Sequence, residues 1–418
     1  MEKYVINGGN KLFGSVEIQT AKNSVLPILA AAVLTDGEVK ILNVPRISDV
    51  ANMVKILSRL GCKAIFKGND LIIDSSSADC FEIPSELAHE LRSSVFLLGS
   101  VVSRFKMAKI AYPGGCDIGL RPVDLHLAGL KRLGVQITEK NGYILCKCEK
   151  LRGNEIMLDC PSVGATENIM LAAVKAEGTT VIKNAAREPE IEDLQRFLNA
   201  IGAKVRGAGS GTVTVEGVTK LGGTEFTPIH DRIEAGTFLV AAAMCGGEVE
   251  LACNCAENLS SLLHKLRENG CNIHIKNDKI ILESCRRLTS VKSIETQPYP
   301  GFPTDLQAQI TALCCICNGQ SIITENLFET RFKYASELRK MGADITVINR
   351  SAFVSGVERY KGATVVAHDL RGGAALVLAG LAAEGRSEIL DISHIDRGYG
   401  SFEYKLRNLG GDIVRVTV

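Results

Sequence analysis

The sequence repeats a helix-ending phrase six times, and this repeat restricts the fold more than any other feature. The phrase has the form Leu-x-x-Leu-Gly, with variants at the leucines, and a β-rich segment follows each copy. Its glycines are spaced 68 to 73 residues apart, at Gly61, Gly134, Gly202, Gly270, Gly342 and Gly410. A glycine directly after a helix is typical of a C-cap that needs positive φ. The spacing therefore predicts six units of about 70 residues each.

A second phrase recurs out of phase with the first. It is a helix rich in Ala, Gly, Cys and Ser, followed by a strand, and five copies are plain while one is degenerate. Small residues let helices approach closely, so these helices are predicted to be buried on all sides. A solenoid without any chemistry is the alternative. It is disfavoured because the units differ most at one place, the start of the buried helix.

Length and charge limit the classes of protein that the chain can belong to. At 418 residues it is too long for one compact core, which favours two domains. Its 48 Lys and Arg balance 47 Asp and Glu, so no overall field recruits nucleic acid or an acidic membrane. No apolar stretch approaches the ~20 residues of a membrane span, and residues 1–13 lack an apolar signal core. We expect a soluble, cytoplasmic protein.

Fourteen cysteines without an export signal favour a reducing compartment in which the thiols stay free. The pairs Cys146-Lys147-Cys148 and Cys253-Asn254-Cys255 lie in strand-like segments, and the seven histidines form no ligand spacing around them. We therefore expect no metal site. A packing role is predicted for six cysteines, which are Cys62, Cys245, Cys271, Cys314, Cys315 and Cys317.

The starts of the six buried helices carry the residues that differ most between units. A cation at a helix N-terminus opposes the helix dipole, so Lys22, Arg92 and Arg371 lie where stability alone would not place them. Bound phosphate or carboxylate would remove this conflict, although ordinary solvated arginines are the alternative. We predict two similar halves that close on an anion-binding cleft. The six positions, 66 to 74 residues apart, are Lys22, Arg92, Ser162, Asp231, Asp305 and Arg371.

Cys116 differs from the other cysteines because it lies in a loop rich in glycine and proline, within residues 112–126. Such a loop is expected to be exposed, and it leads into a helix that starts near Arg121. A thiol beside an arginine on an open loop is a setting in which cysteine acts as a nucleophile or an acid. Cys116 is therefore a candidate catalytic residue.

Nine phrases of the sequence together resemble the UDP-N-acetylglucosamine 1-carboxyvinyltransferase family of enolpyruvyl transferases. They include PGGCDIGLRPVDLH and DLRGGAALVLAGLAA, and they span the chain in order. The resemblance implies an α/β fold of two inside-out α/β barrel domains, each of three repeats. One domain would be discontinuous, with residues 1–20 and 231–418, and the other would be 21–230 with the Cys116 loop. The phrases lie at 20–31, 113–126, 161–173, 186–198, 231–243, 300–309, 328–332, 369–383 and 394–399.

The resemblance also implies an activity. The enolpyruvyl group of phosphoenolpyruvate would pass to the 3'-hydroxyl of UDP-N-acetylglucosamine with release of phosphate, in the first committed step of peptidoglycan precursor synthesis. Cys116 would protonate C3 of phosphoenolpyruvate and would be the target of fosfomycin. Asp305 would be the base, and Lys22 and Arg397 would complete the catalytic set. No cofactor, no metal and no obligate oligomer are implied.

Two sets of binding residues follow from the resemblance. Departures from the family pattern are Thr330, where Asn is common, and Gly400-Ser401, where a charged pair is usual. The phosphoenolpyruvate set is Lys22, Asn23, Arg121, Asp231, Arg331, Asp369, Arg371 and Arg397. The UDP-sugar set is Asn23, Arg92, Arg121, Pro122, Val123, Asp124, Leu125, Ser162, Val163, Gly164, Asp305 and Leu327.

Two alternatives stay open at the level of sequence. The family of 5-enolpyruvylshikimate-3-phosphate synthase shares the architecture, but it has a Gly-Ser-Lys-Ser type phrase where this chain has Thr20-Ala21-Lys22-Asn23, and it lacks the cysteine loop. A non-catalytic paralogue that binds the UDP-sugar is the second alternative. The presence of the four catalytic candidates argues against it.

Overall fold

The computed structural model of the chain describes residues 2–112, 114, 123–284 and 287–417. The chain divides into two compact units, each with its own hydrophobic core. The split unit comprises residues 2–19 and 230–417. The inserted unit comprises the described residues between 20 and 229.

Helices and strands alternate along both units. The chain starts in the split unit with β1 (Glu2–Asn7) and β2 (Leu12–Glu17). The inserted unit follows with α1 (Lys22–Ala32), β3 (Glu38–Ile41), α2 (Ser48–Arg59), β4 (Lys63–Lys67), β5 (Asp70–Asp74), β6 (Glu82–Ile83), α3 (Ser85–Glu90), α4 (Leu97–Phe105), β7 (Met107–Ala111), α5 (Asp124–Arg132), β8 (Gln136–Lys140), β9 (Tyr143–Lys147), β10 (Glu155–Met157), α6 (Val163–Ala173), β11 (Thr179–Lys183), α7 (Pro189–Ala200), β12 (Lys204–Arg206), β13 (Thr212–Glu216) and β14 (Thr224–Phe226).

The remaining elements complete the split unit. They are α8 (Arg232–Cys245), β15 (Gly247–Ala252), α9 (Ser260–Asn269), β16 (Asn272–Lys276), β17 (Lys279–Ser284), β18 (Ser293–Glu295), α10 (Gln307–Cys314), β19 (Gln320–Thr324), α11 (Tyr334–Lys340), β20 (Asp344–Ile348), β21 (Ser351–Ser355), β22 (Thr364–Val366), α12 (Leu370–Ala382), β23 (Arg386–Leu390), α13 (Phe402–Asn408) and β24 (Asp412–Thr417). Short 3₁₀ turns at Arg92–Phe96 and Thr304–Leu306 lead into α4 and α10, and another spans Ile392–Arg397.

The described residues form six four-stranded sheets of one topology, three in each unit. In the sheet β10-β11-β13-β12, the first two strands are parallel and the remaining neighbours are antiparallel. Successive side chains of a strand point to opposite faces of the sheet. In β13, Val213 and Val215 are buried on one face, while Thr212 on the other face is exposed. The predicted sixfold repeat is confirmed.

Three buried helices occupy the centre of each unit. In the inserted unit α4 packs against α1 and α6, and in the split unit α8, α10 and α12 pack against one another. Every residue of α8 is buried. The small side chains permit this packing: a Cβ added to Gly99 on α4 would overlap the backbone oxygen of Asn168 on α6. The prediction that these helices are buried on all sides is confirmed for α8.

The two ends of each unit meet in its sheets. β1 lies between β23 and β24 and pairs antiparallel with both. β2 pairs parallel with β15 at the edge of another sheet. In the inserted unit, β14 pairs parallel with β3. In each unit, a strand from one end of its sequence therefore completes a sheet whose other strands are distant in the chain.

The repeated glycines end their helices as predicted. Each has a positive φ, between 91° and 103°, a conformation that costs other residues about 1 to 2 kcal/mol. The six are Gly61, Gly134, Gly202, Gly270, Gly342 and Gly410.

Among the described residues, the cysteines follow the prediction except at one pair. The six cysteines with a predicted packing role are all buried. The prediction of free thiols within a strand is wrong for Cys253 and Cys255, which follow β15 and are joined by a disulfide. The chain turns after Ala252, which brings the two Cα atoms within 5.4 Å, a separation that a disulfide spans. None of the described helices is both long and apolar enough to cross a membrane.

Candidate active site

All six positions singled out in the repeat lie at helix starts. Lys22 begins α1, and Ser162 and Asp231 are the N-caps of α6 and α8. Arg92 and Asp305 lie in the 3₁₀ turns before α4 and α10, and Arg371 is in the first turn of α12. The prediction that these residues lie at the starts of the buried helices is confirmed.

In the split unit, Asp305 lies between two buried arginines. Its Oδ1 accepts a hydrogen bond from Arg331 Nη2 at 2.8 Å, and its Oδ2 accepts one from Arg371 Nη2 at 3.2 Å. Both arginine side chains are 4% exposed, whereas that of Asp305 is 26% exposed. Buried guanidinium groups need such charge-assisted partners. The carboxylate can therefore meet a ligand from solvent while it holds both cations.

Arg371 keeps unused hydrogen-bonding capacity. Its Nε and Nη1 are buried without an acceptor among the described residues. Burial alone would lower its pKa, but Tyr399, Asp305 and Asp231 nearby hold the pKa of Arg371 above its ordinary value. A permanently charged guanidinium with two unpaired donors is suited to bind an anion in two-point contact.

Two aspartates cap the helices of this site. Asp369 Oδ1 accepts hydrogen bonds from the backbone N–H of Arg371 and of Gly372, both at 2.9 Å. Asp231 Oδ1 accepts from Ile233 and Glu234 at 2.9 and 3.0 Å. These caps satisfy the free N–H groups at the starts of α12 and α8. Asp369 thereby fixes the backbone of Arg371 itself.

Tyr399 supports Arg371 from the side. The guanidinium carbon lies 5.3 Å from the centre of the tyrosine ring. The hydroxyl of Tyr399 is 2.8 Å from Thr237 Oγ1 and accepts a hydrogen bond from Gln309 Nε2 at 3.2 Å. Burial raises the pKa of Tyr399, so the phenol stays neutral beside the cation.

Arg397 is half-buried at the end of the turn Ile392–Arg397. The preceding residue, Asp396, accepts two hydrogen bonds from Arg415 on β24, at 2.9 and 2.7 Å. Arg415 also donates to Glu403 at 2.8 Å and to the Tyr4 hydroxyl at 2.8 Å. The segment that carries Arg397 is therefore tied to β1 and β24.

In the inserted unit, Lys22 pairs with a buried carboxylate. Its Nζ lies 3.1 Å from Asp49 Oδ2, and the two side chains are 12% and 4% exposed. Next to it, Ser24 donates a hydrogen bond to Asp193 Oδ2, which also accepts from the backbone N–H of Ile229 at 3.0 Å. Asn23 between them is half-buried. The start of α1 is thus held in place on both sides of Asn23.

Three segments assigned to the UDP-sugar meet around Gly164. Ser162 Oγ accepts from the backbone N–H of Ala165 at 3.3 Å and caps α6. A Cβ added to Gly164 would lie 2.9 Å from His126 Cε1 and 3.0 Å from Phe96 Cε1. His126 belongs to α5, which begins after Val123, and Phe96 ends the turn that begins at Arg92. The sequence places glycine here because no side chain fits.

Some of the assigned residues lie elsewhere or outside the described residues. Leu327 is half-buried and donates its backbone N–H to Glu325 Oε1 at 2.9 Å. Asp124 is exposed and Leu125 half-buried in the first turn of α5. Cys116, Arg121 and Pro122 lie outside the described residues.

Comparison with known proteins decides the family. The sequence family of EPSP synthase (3-phosphoshikimate 1-carboxyvinyltransferase) matches residues 6–406. UDP-N-acetylglucosamine 1-carboxyvinyltransferase 2 of Caldanaerobacter subterraneus is 55% identical over 100% of both chains. UDP-N-acetylglucosamine 1-carboxyvinyltransferase 1 of Symbiobacterium thermophilum is 52% identical over 99% of this chain and 95% of its own.

The chain belongs to the UDP-N-acetylglucosamine 1-carboxyvinyltransferase family. It is a transferase. The names of these relatives favour the UDP-N-acetylglucosamine family over the shikimate-directed alternative.

Solved structures confirm the predicted enolpyruvyl transferase fold. The enolpyruvyl transferase NikO from Streptomyces tendae superposes with a TM-score of 0.91 at 25% identity, over 100% of this chain and 99% of its own. EPSP synthase from Acinetobacter baumannii superposes with a TM-score of 0.77 at 19% identity, over 100% of both chains. The second likeness concerns the fold alone.

Reasoning from sequence missed several residues around this candidate site. Tyr399 lies two residues after Arg397 in a phrase already singled out, so its aromatic ring beside a candidate arginine was a usable signal. Glu325 gave a weaker signal, an acidic residue directly after the apolar strand β19. Arg415 and Asp49 gave none, because isolated charges occur throughout the surface of any soluble protein.

Proposed function

We propose that this transferase moves the enolpyruvyl group of phosphoenolpyruvate to the 3'-hydroxyl of UDP-N-acetylglucosamine and releases phosphate. The reaction would be the first committed step of peptidoglycan precursor synthesis and would take place in the cytoplasm. The observation that carries the proposal is Asp305 between Arg331 and Arg371, with two donors of Arg371 that have no acceptor within the described part of the chain. The substrate class rests on full-length relatives with that printed name.

Phosphoenolpyruvate brings a phosphate and a carboxylate, which need cations. The cations would be Lys22, Arg121, Arg331, Arg371 and Arg397. When the anions engage Arg371 and Arg331, the Asp305 carboxylate would exchange its arginine partners for the sugar hydroxyl. Substrate binding would thus release the base at the moment it is needed.

The chemistry would consist of an addition and an elimination. In the addition, the 3'-oxygen bonds to C2 of phosphoenolpyruvate, its proton passes to Asp305, and C3 receives a proton from the thiol of Cys116. In the elimination, C3 returns a proton to the thiolate of Cys116, and the bond from C2 to the phosphate oxygen breaks. The double bond is restored, and phosphate leaves with its electron pair. The cations stabilise the charge that develops on the phosphate.

The UDP-sugar would be bound by the segments that meet around Gly164. Arg92, the stretch from Arg121 to Leu125, and Ser162 to Gly164 would hold the nucleotide, with Asn23, Asp305 and Leu327 directed at the sugar. The N-terminus of α6, with its positive helix dipole, would suit a diphosphate.

One assay tests the proposal. Purified protein should release phosphate from phosphoenolpyruvate only when UDP-N-acetylglucosamine is present, and shikimate 3-phosphate should not replace it. Release that depends on shikimate 3-phosphate would assign the other family. Calorimetric binding of UDP-N-acetylglucosamine without any phosphate release would identify a non-catalytic paralogue.

A further inference from the structure

Glu325 is a buried carboxylate that the proposed chemistry does not use. It follows β19 directly and is 0% exposed. Its side chain accepts four hydrogen bonds from neutral donors. Removing a carboxylate from water is costly, so such a group persists in a core only where its oxygens are fully hydrogen-bonded.

The two oxygens of Glu325 serve different segments. Oε1 accepts from Thr296 Oγ1 at 2.8 Å and from the backbone N–H groups of Leu327 and Phe328 at 2.9 and 3.2 Å. Oε2 accepts from Thr304 Oγ1 at 2.8 Å. Thr296 adds a further link, since its Oγ1 accepts from the backbone N–H of Asn326 at 2.9 Å. One carboxylate thus ties together three stretches of chain.

Two of these stretches carry residues of the site. Thr304 directly precedes Asp305 in the 3₁₀ turn Thr304–Leu306. Leu327 and Phe328 lead into Arg331, whose guanidinium carbon lies 5.5 Å from the centre of the Phe328 ring. The hydrogen bond from Arg331 Nη2 to Asp305 Oδ1, at 2.8 Å, therefore joins two segments that Glu325 also connects.

We propose that Glu325 is a positioning residue that sets the distance between Asp305 and Arg331. It touches neither substrate and acts through Thr304 on the Asp305 turn and through two backbone N–H groups on the segment before Arg331. The inference rests on the proposed function, because it concerns the geometry of the proposed base. It predicts that the Oε2 contact governs turnover, whereas the Oε1 contacts also govern UDP-sugar binding through Leu327.

Thr304→Val tests the Oε2 contact, since valine keeps the shape and removes the hydroxyl. We expect kcat to fall about tenfold, because small misplacements of a reacting group cost rate steeply, while KM for UDP-N-acetylglucosamine stays within about threefold. The matched control is Thr311→Val, which removes a buried hydroxyl that donates to Gln307 O at 2.7 Å. The control should lower the melting temperature by a similar amount and leave kcat unchanged.

Two substitutions at Glu325 complete the test. Glu325→Gln keeps an acceptor for the Leu327 and Phe328 amides, and its Nε2 can donate to the Thr304 hydroxyl, so kcat should stay within about threefold. Glu325→Met keeps the length and no acceptor, and it should lower kcat about a hundredfold and raise KM for UDP-N-acetylglucosamine. If Glu325→Met does not fold, Thr304→Val and Glu325→Gln still decide the matter.

The outcomes separate this inference from the proposed function. If the wild-type protein shows no phosphate release that depends on UDP-N-acetylglucosamine, the proposed function is overturned. An active wild type with Thr304→Val indistinguishable from Thr311→Val in kcat would overturn the inference alone. So would a Glu325→Gln variant as impaired as Glu325→Met, because it would show that the charge of Glu325 and not its acceptor pattern is required.

Discussion

Arg371 occupies a position that disfavours a cation in two ways. It lies in the first turn of α12, where the helix dipole is positive, and its side chain is buried. Asp369 caps the helix and Asp305 pairs with Nη2, but Nε and Nη1 keep no partner among the described residues. Stability alone does not account for this arrangement. A bound anion would supply the missing acceptors, so the residue is better explained by ligand binding.

Asp305→Asn should separate binding from turnover. The amide cannot take the hydroxyl proton, so we expect kcat to fall by roughly 10² to 10⁴-fold. Because asparagine no longer neutralises Arg331 and Arg371, KM for phosphoenolpyruvate should stay the same or fall. Steady-state kinetics measure both, with Glu358→Gln as the control, since its side chain is 74% exposed. A tenfold rise in KM at unchanged kcat would contradict the role of base.

Cys116→Ser tests the acid, although this residue lies outside the described residues. A serine hydroxyl is a far weaker proton donor than a thiol, so turnover at neutral pH should be lost while UDP-sugar binding is retained. Fosfomycin should add covalently to Cys116 and to none of the other thirteen cysteines. Peptide mass spectrometry checks the adduct. Near wild-type turnover of the serine variant, or an adduct elsewhere, would refute the assignment.

Glu234 makes stability depend on pH near neutrality. Burial raises its pKa from 4.5 to about 7, although Lys405 Nζ lies 2.8 Å from Oε1 and opposes the shift. Between these values the folded protein binds a proton that the unfolded chain has released. The contribution of Glu234 to the free energy of unfolding therefore falls as pH rises from 4.5 to 7. The linked change is on the order of 3 kcal/mol.

The matched variant for this effect is Glu234→Gln, which cannot ionise. The melting temperature of the wild type minus that of the variant should decrease between pH 5 and 7.5. Differential scanning calorimetry at several pH values measures it. A difference that is constant or that grows with pH would show that Glu234 is ionised throughout the range.

At the scale of elements, the buried helices explain why small residues recur at fixed phase. The N–H of Gly99 donates to Asn168 Oδ1 at 2.6 Å, a contact that requires α4 and α6 to approach closely. Leucine or phenylalanine at such positions would separate the helices. The composition that appeared in the sequence as a pattern is therefore a requirement of the packing between helices.

Two glycine substitutions distinguish packing from backbone conformation. Gly99→Ala would place a methyl group against the backbone oxygen of Asn168, which cannot move aside as a side chain can, so we expect a cost at the upper end of the range of about 1 to 3 kcal/mol for overpacking. Gly342→Ala meets no atom within 4 Å, but its φ is +91°, which costs about 1 kcal/mol. Thermal unfolding should show the larger loss for Gly99→Ala. Equal losses would mean that α4 can move away from α6.

The repeat and the helix starts could be predicted from the sequence, because capping glycines and first-turn residues are local features. The role of Glu325 could not be read in this way, since its hydroxyl donors lie 21 and 29 residues before it in the chain. Arg415 is an extreme case, as it pairs with Glu2 at the other end of the sequence. The disulfide was missed because Cys253 and Cys255 were predicted to lie within a strand, whereas β15 ends at Ala252. Contacts between distant segments depend on the whole fold and leave no short motif.

At the scale of the whole molecule, the N-terminal strands belong to a unit whose other elements come more than 200 residues later. Tyr4 and Ile6 on β1 are fully buried, and β1 bonds to strands on both sides. The described residues between 20 and 229 form a separate core. The split unit therefore completes its sheet only after the rest of the chain is synthesised, whereas the inserted unit has all of its strands earlier.

Deleting residues 2–18 should unfold one unit and spare the other. The deletion leaves β23 and β24 without the strand between them and removes β2 from the edge beside β15, so their backbone groups lose partners. Hydrogen exchange should become fast at β15, β23 and β24 and stay slow at β11 and β13, because each unit has its own core. A full-length chain with Phe13→Ser, an exposed position on β2, is the control and should keep both patterns. Fast exchange at β11 and β13 in the deletion variant would show that the inserted unit depends on the split unit for its stability.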